Sequence, residues 1–104
     1  MHNDSILLES AEADLTAAAR WYGDRRSVLE AEFLLCVEEA LDRIAGHPRS
    51  FPTISGEYRK AWVHRFPFGV IYRLHAADAL VVAVQHASRR PDLWQDRAWG
   101  GSEM

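Results

Sequence analysis

One cysteine, one lysine and no long apolar run: these scarcities narrow what a chain of 104 residues can be before any motif is considered. A lone Cys36 excludes an intrachain disulfide framework, and its place between Leu35 and Val37 in a helical pattern marks it as a small core hydrophobe. No segment reaches the roughly 18 apolar residues of a membrane span, and Met1 to Ser10 lacks the basic start and apolar run of an export signal. A cytoplasmic protein without membrane contact is therefore expected. The six glycines are scattered, which leaves no phosphate-cradling loop. The histidines at positions 2, 47, 64, 75 and 86 include no pair at the spacing of a zinc site and have no cysteine partners, so no metal or other cofactor is expected. Ser88, two residues from His86, is too little to define a nucleophile and its base.

What is present fits one compact domain over residues 1–104, with 48% hydrophobic residues, no repeat and no linker. The net charge of −3 conceals a split. Residues 1–57 carry eleven acids and five bases, a sum of −6, whereas residues 58–104 carry seven bases and four acids, a sum of +3. A basic second half points to an anionic partner, either a phosphate backbone or an acidic protein segment.

The apolar periodicity divides the chain into elements. Asp4 to Leu8 reads as a short edge strand. Ser10 follows as an N-cap, with Glu12 and Asp14 in the first turn of a helix from about Ala11 to Tyr22 that Gly23 and Asp24 end. A second helix spans Ser27 to Ala45 on the stripe Leu29, Phe33, Val37, Leu41 and Ile44, closed by Gly46 and Pro48. After Pro52 the period becomes alternating. Arg59, Ala61, Val63 and Arg65 fall on one side of a strand and Lys60, Trp62, His64 and Phe66 on the other. A second strand, Gly69 to His75, places Val70, Tyr72 and Leu74 against Ile71, Arg73 and His75. Asp78 marks a turn, and the third strand, Leu80 to His86, is apolar on both faces through Val84, as a covered or central strand would be. Short loops make the three an antiparallel meander, and Pro91 opens a short terminal helix containing Leu93 and Trp94. The expected class is α+β: a helical hairpin packed on a small antiparallel sheet.

The residues left for chemistry form a basic, aromatic cluster: Arg59, Lys60, Arg65, Arg73, His86, Arg89, Arg90 and Arg97, with Tyr58, Trp62, Tyr72, Trp94 and Trp99 interleaved. Several have a structural reading as well. His86 ends an apolar strand and can fix the turn that follows, Trp94 can pack beneath its helix, Tyr72 points with core residues, and Arg65 can pair with an acid of the hairpin. Arg89 and Arg90, adjacent and just before a proline, are suited to solvent and a partner.

The order strand, helix, helix, three strands, together with HPRSFP around Arg49, RFPFGVIYRL, VVAVQHASRRPDLW and Arg97, resembles the RelE/ParE superfamily of type II toxin–antitoxin toxins, and its ParE-like branch more closely. The likeness runs from about Leu7 to Arg97. It implies a small bacterial toxin held inactive by a cognate antitoxin that wraps it, with a homodimer within the toxin–antitoxin complex as a further expectation. The superfamily contains two chemistries: RelE-like members cut mRNA on the ribosome without a metal, and ParE-like members bind and inhibit DNA gyrase. As a nuclease, the chain would use His86 as proton carrier with Arg73 and Arg89 for charge. As an inhibitor, it would meet gyrase or antitoxin through Arg59, Lys60, Arg65, Arg73, Arg89, Arg90, Trp94 and Arg97. The single lysine and the lack of a tyrosine closing the last strand depart from the RelE-like pattern and favour inhibition without catalysis. A toxin that has lost its activity is the third alternative.

Overall fold

The computed structural model describes residues 5–88, which form two helices and a five-stranded mixed sheet. In chain order the elements are β1 (Ser5–Leu7), α1 (Glu9–Arg25), α2 (Ser27–Gly46), β2 (Thr53–Ser55), β3 (Tyr58–Trp62), β4 (Phe68–His75) and β5 (Asp78–His86). The sheet order is β1-β5-β4-β3-β2. Strands β3, β4 and β5 make the expected antiparallel meander, and β1 adds to β5 in parallel, so that β5 lies between two neighbours. The expected α+β class and helical hairpin are both observed. The short strand β2 was not anticipated. It pairs antiparallel with β3 through a two-residue turn in which Gly56 takes a positive φ of 56°, a conformation that glycine reaches at no steric cost.

The core lies between the hairpin and one face of the sheet. Ala11, Ala18 and Ala19 of α1 and Phe33, Val37, Ala40 and Ile44 of α2 meet Ala61, Val70, Tyr72, Ala79 and Val81 of the sheet. Small residues on α1 let it approach closely, while the bulk comes from α2. Cys36 packs against this core, as expected of a small hydrophobe.

Helix α1 differs from expectation at both ends. It begins at Glu9, behind Leu8, with no side-chain cap. Ser10 is not the N-cap: its hydroxyl donates to Val82 O at 2.8 Å, and the Asp14 carboxylate accepts from Val84 N at 3.0 Å. The physical reason is that β1 is only three residues long. Its ladder with β5 ends where Leu8 N donates to Val81 O, and the side chains of α1 then satisfy the backbone groups that β1 no longer reaches. Helix α1 also runs through Gly23 to Arg25. A Cβ at position 23 would come within 3.2 Å of Glu30 Cβ and 2.5 Å of its Oε1, so glycine here serves the close approach of the two helices and does not break the first.

The pairing of β4 with β5 contains one irregularity. Ile71 faces Ala83 and Tyr72 faces Val81, leaving Val82 as an extra residue. Val82 and Ala83, though consecutive, both join Ile71 in a buried cluster on the face away from the helices, with Tyr58 packed against it. Buried clusters on both sides, Ala79 and Val81 toward the helices and Val82 and Ala83 away from them, explain why the strand reads as apolar on both faces. Asp78, taken from sequence as a turn residue, is the first residue of β5 and pairs with His75. The turn proper is Ala76–Ala77, with Ala76 at φ 55°.

Candidate partner-binding surface

The two faces of the sheet separate the basic cluster. Register pairs Arg59 with Tyr72 and Ala61 with Val70, all on the helix side, whereas Lys60 pairs with Ile71 and Trp62 with Gly69 on the other side. Arg73, two residues beyond Ile71, shares that outer face. Among the described residues no helix covers it. The long side chain of Lys60 lies across Gly69, where a Cβ would sit 3.0–3.1 Å from the Lys60 methylenes, and ends with Nζ 4.4 Å from the centroid of the Trp62 ring. Trp62 is 50% exposed. The result is a basic patch with an aromatic ring: Lys60 held over Trp62 by a cation–π contact, Tyr58 beside it, and Arg73 on the adjacent strand. An arginine and a half-exposed tryptophan are the side chains that concentrate binding energy at protein interfaces.

The helix-side arginines are committed to the fold. Arg59 Nη1 donates to Arg49 O at 3.1 Å and Phe51 O at 2.6 Å, and the Tyr72 hydroxyl donates to Pro48 O at 2.7 Å. Between them they hold the loop from α2 to β2, the HPRSFP segment. Burial raises the Tyr72 phenol above its ordinary 10.0 against the opposing pull of the Arg59 charge, so it stays a neutral donor. Arg65 makes the ion pair with the hairpin that its position suggested, Nη2 to Glu32 Oε1 at 3.1 Å. It sits in a turn at φ 72° and is well exposed.

Strand β3 ends at Trp62, Val63 N still donates to Phe68 O at 2.8 Å, and a turn over residues 64–67 with Arg65 at a left-handed φ then breaks the alternation expected through Phe66; Arg43 Nη2 donates to Trp62 O. Phe66 turns to the helix side instead of joining Lys60 and Trp62. There it packs edge-on against Tyr22 at 4.9 Å and Phe33 at 5.2 Å, and Phe68 joins the same cluster. This accounts for the RFPFG segment: two phenylalanines on either side of a proline that both enter the core.

His86 belongs to this packing. It pairs with Phe68, stacks edge-on against its ring at 5.1 Å, and its Nδ1 accepts from Ser88 N at 3.0 Å and lies 2.8 Å from Ser88 Oγ. It thus fixes the turn after β5. His86 and Arg73 lie on opposite faces of the sheet, and Phe68, the partner of His86, is five positions from Arg73 along β4, about 16 Å. The structure therefore does not bring together the two residues that a nuclease site would need. Arg89, Arg90, Trp94 and Arg97 lie outside the described residues. Among the described residues no three His, Cys, Asp or Glu side chains are grouped as metal ligands, and no helix is long and apolar enough to cross a membrane.

The model of the ParE toxin of the type II toxin–antitoxin system parDE matches residues 6–91, from β1 to beyond the last strand. The chain belongs to the ParE toxin family. A search of curated proteins gives no match. Among solved structures, the chromosomal ParDE toxin–antitoxin system from P. aeruginosa is similar with a TM-score of 0.63 at 16% identity, covering 82% of this chain and 96% of that one. At that identity the likeness speaks for the fold alone. As a ParE-family toxin of a type II system, the chain has an antitoxin as its partner.

Proposed function

We propose that this ParE-family toxin acts by binding DNA gyrase without catalysing a reaction, and that the outer face of the sheet is part of the surface that binds. The supporting observation is the placement of Lys60, Trp62 and Arg73 together on the outer face of the sheet, while Arg59 and Arg65 are engaged in holding a loop and a turn. Arg89, Arg90, Trp94 and Arg97 extend this basic surface in the reading from sequence. The antitoxin competes for the same half of the molecule, in a complex that contains two toxin copies. The toxin acts in the cytoplasm, where its target and its antitoxin meet.

Against a ribosome-dependent mRNA endonuclease stands the separation of His86 from Arg73. Acid–base cleavage needs its proton carrier within hydrogen-bond reach of the phosphate that the arginine stabilises. An inactive remnant would need no patch at all.

The test is DNA supercoiling by gyrase with purified toxin. The wild type should block supercoiling, and Arg73→Glu and Lys60→Glu should each weaken the block at least tenfold with unchanged thermal midpoints. Normal supercoiling at a large molar excess of folded wild-type toxin would overturn the gyrase reading. Full potency in both variants would remove the outer face from it. Primer extension on mRNA from expressing cells should show no new discrete ends.

A further inference from the structure

The backbone that carries Trp62 is held from the other side of the sheet. Val63 N donates to Phe68 O at 2.8 Å, so the backbone groups of Trp62, one residue earlier, point away from β4 toward the side of β2. Strand β2 does not reach that far: Thr53 pairs with Arg59, and the last bond on that side runs from Lys60 N to Pro52 O at 3.3 Å. Helix α2 takes the place of the missing strand. Arg43 Nη2 donates to Trp62 O at 2.8 Å, and its Nε donates to Glu39 Oε2 at 2.8 Å. The other oxygen of the same carboxylate lies 3.5 Å from Nδ1 of His64. Glu39 and Arg43, one helical turn apart, thus grip the chain at residues 62 and 64, on either side of the buried Val63. The bond to Trp62 O is exposed, where water would satisfy the carbonyl equally well, so what Arg43 adds is a fixed place for it.

We infer that Glu39 and Arg43 are positioning residues for Trp62, acting from the helix side to fix the aromatic ring on the outer face. The inference rests on the reading that this face meets the target. A strand end frays unless it is held, and Trp62 is the last residue of β3. Its ring is half exposed and carries Lys60 Nζ at 4.4 Å from its centroid, while the methylenes of Lys60 lie across Gly69. Ring and cation keep that geometry only if the backbone of Trp62 stays in place. A side chain already held in its bound arrangement loses less freedom when a partner arrives, so the clamp strengthens binding without touching the partner. Arginine suits the task because its planar fork serves the carboxylate and the carbonyl at once.

Lys60 is the only lysine of the chain, so its ε-methylene protons can be recognised in an NMR spectrum without ambiguity. In the wild type the ring current of Trp62 should displace them upfield. Arg43→Met should move them most of the way back to the values of an unstructured lysine, and Glu39→Gln should move them in the same direction. Both variants should keep the wild-type melting temperature within a few degrees, since both side chains are partly exposed. In the gyrase supercoiling assay, Arg43→Met should weaken the block about tenfold and Trp62→Ala about thirtyfold. The two together should weaken it no more than Trp62→Ala alone, because Arg43 acts only through that ring. A general loss of stability would weaken the block in both backgrounds alike. Lysine signals that stay in place in both Arg43→Met and Glu39→Gln overturn the proposal, as does a double variant in which the two effects add. If the signals move but Arg43→Met blocks supercoiling as well as the wild type, the held ring is not what the partner meets and the proposal fails. A folded wild type that leaves supercoiling untouched refutes the gyrase reading instead, and the lysine signals then decide the positioning by themselves.

Discussion

Replacing Asp14 by alanine removes the acceptor for Val84 N, and the structure allows the cost to be estimated. Val84 is 4% exposed and its N–H lies beyond the end of β1, so no neighbouring strand or bulk water can take over the bond. A buried donor left unsatisfied costs about 1–3 kcal/mol, and the lost acceptor is charged, which places the expected loss near 2 kcal/mol. Against a total stability of about 5–15 kcal/mol for a domain of this size, that is a substantial fraction. It corresponds to a fall in melting temperature of roughly 8–16 °C. Urea titration should show the midpoint falling with an unchanged slope, because the denatured chain is not altered in compactness. Asp14→Asn, which keeps an acceptor oxygen, should recover most of the loss. Ser10→Ala, which removes the donor to Val82 O, should cost about 1 kcal/mol. The exposed Asp42→Ala serves as a control and should change stability by less than about 0.5 kcal/mol. If Asp14→Ala is no more harmful than this control, the side chains of α1 do not close the edge of β5 and the reasoning fails.

Three further outcomes are expected. Tyr72→Phe removes the bond to Pro48 O and should cost about 1 kcal/mol at neutral pH. Because burial raises the Tyr72 phenol, the unfolded chain ionises first, so wild-type stability is full below pH 10 and declines as pH rises through and above that value. The decline should be shallower in Tyr72→Phe, and an identical alkaline profile would show that this tyrosine is not its source. Ala76→Gly should raise stability by about 0.5–1 kcal/mol, since the left-handed conformation at φ 55° is costly for alanine and free for glycine; a fall would contradict the turn geometry. Antitoxin affinity, measured by calorimetry, should weaken as salt is raised if arginines and Lys60 pair with acidic groups of the antitoxin. An affinity that does not vary with salt would assign the binding to apolar contacts.

The helices and the meander were legible because each carries a periodicity that sterics impose on the backbone. Phe33, Val37 and Ile44 recur at helical spacing, and Val70, Tyr72 and Leu74 alternate as strand residues must. Side choice within each strand followed from the same alternation, Lys60 opposite Arg59 and Arg73 opposite Tyr72, whereas the register between β3 and β4 is what sets Lys60 and Arg73 on one face. Strand β2 was missed because three residues, Thr53–Ser55, are too short to show a period, and it is the pairing with β3 that makes them a strand.

Local pattern alone thus determined the class, the hairpin and the order of the meander. Tertiary structure alone decided how individual side chains are used. Ser10 and Asp14 have the composition of a helix start, yet they complete the ladder of a strand 72 and 70 positions away, because β1 ends too early to do so. Phe66 leaves the alternation because the left-handed backbone at Arg65 turns the chain after β3 and the rings of Tyr22 and Phe33 receive it on the helix side. His86 and Arg73 are close in type to a catalytic pair, but the pleat of one strand and the pairing of the next set them on opposite faces. Periodicity is a property of neighbours along the chain, whereas the satisfaction of a buried N–H or the meeting of two side chains depends on segments that only folding brings together.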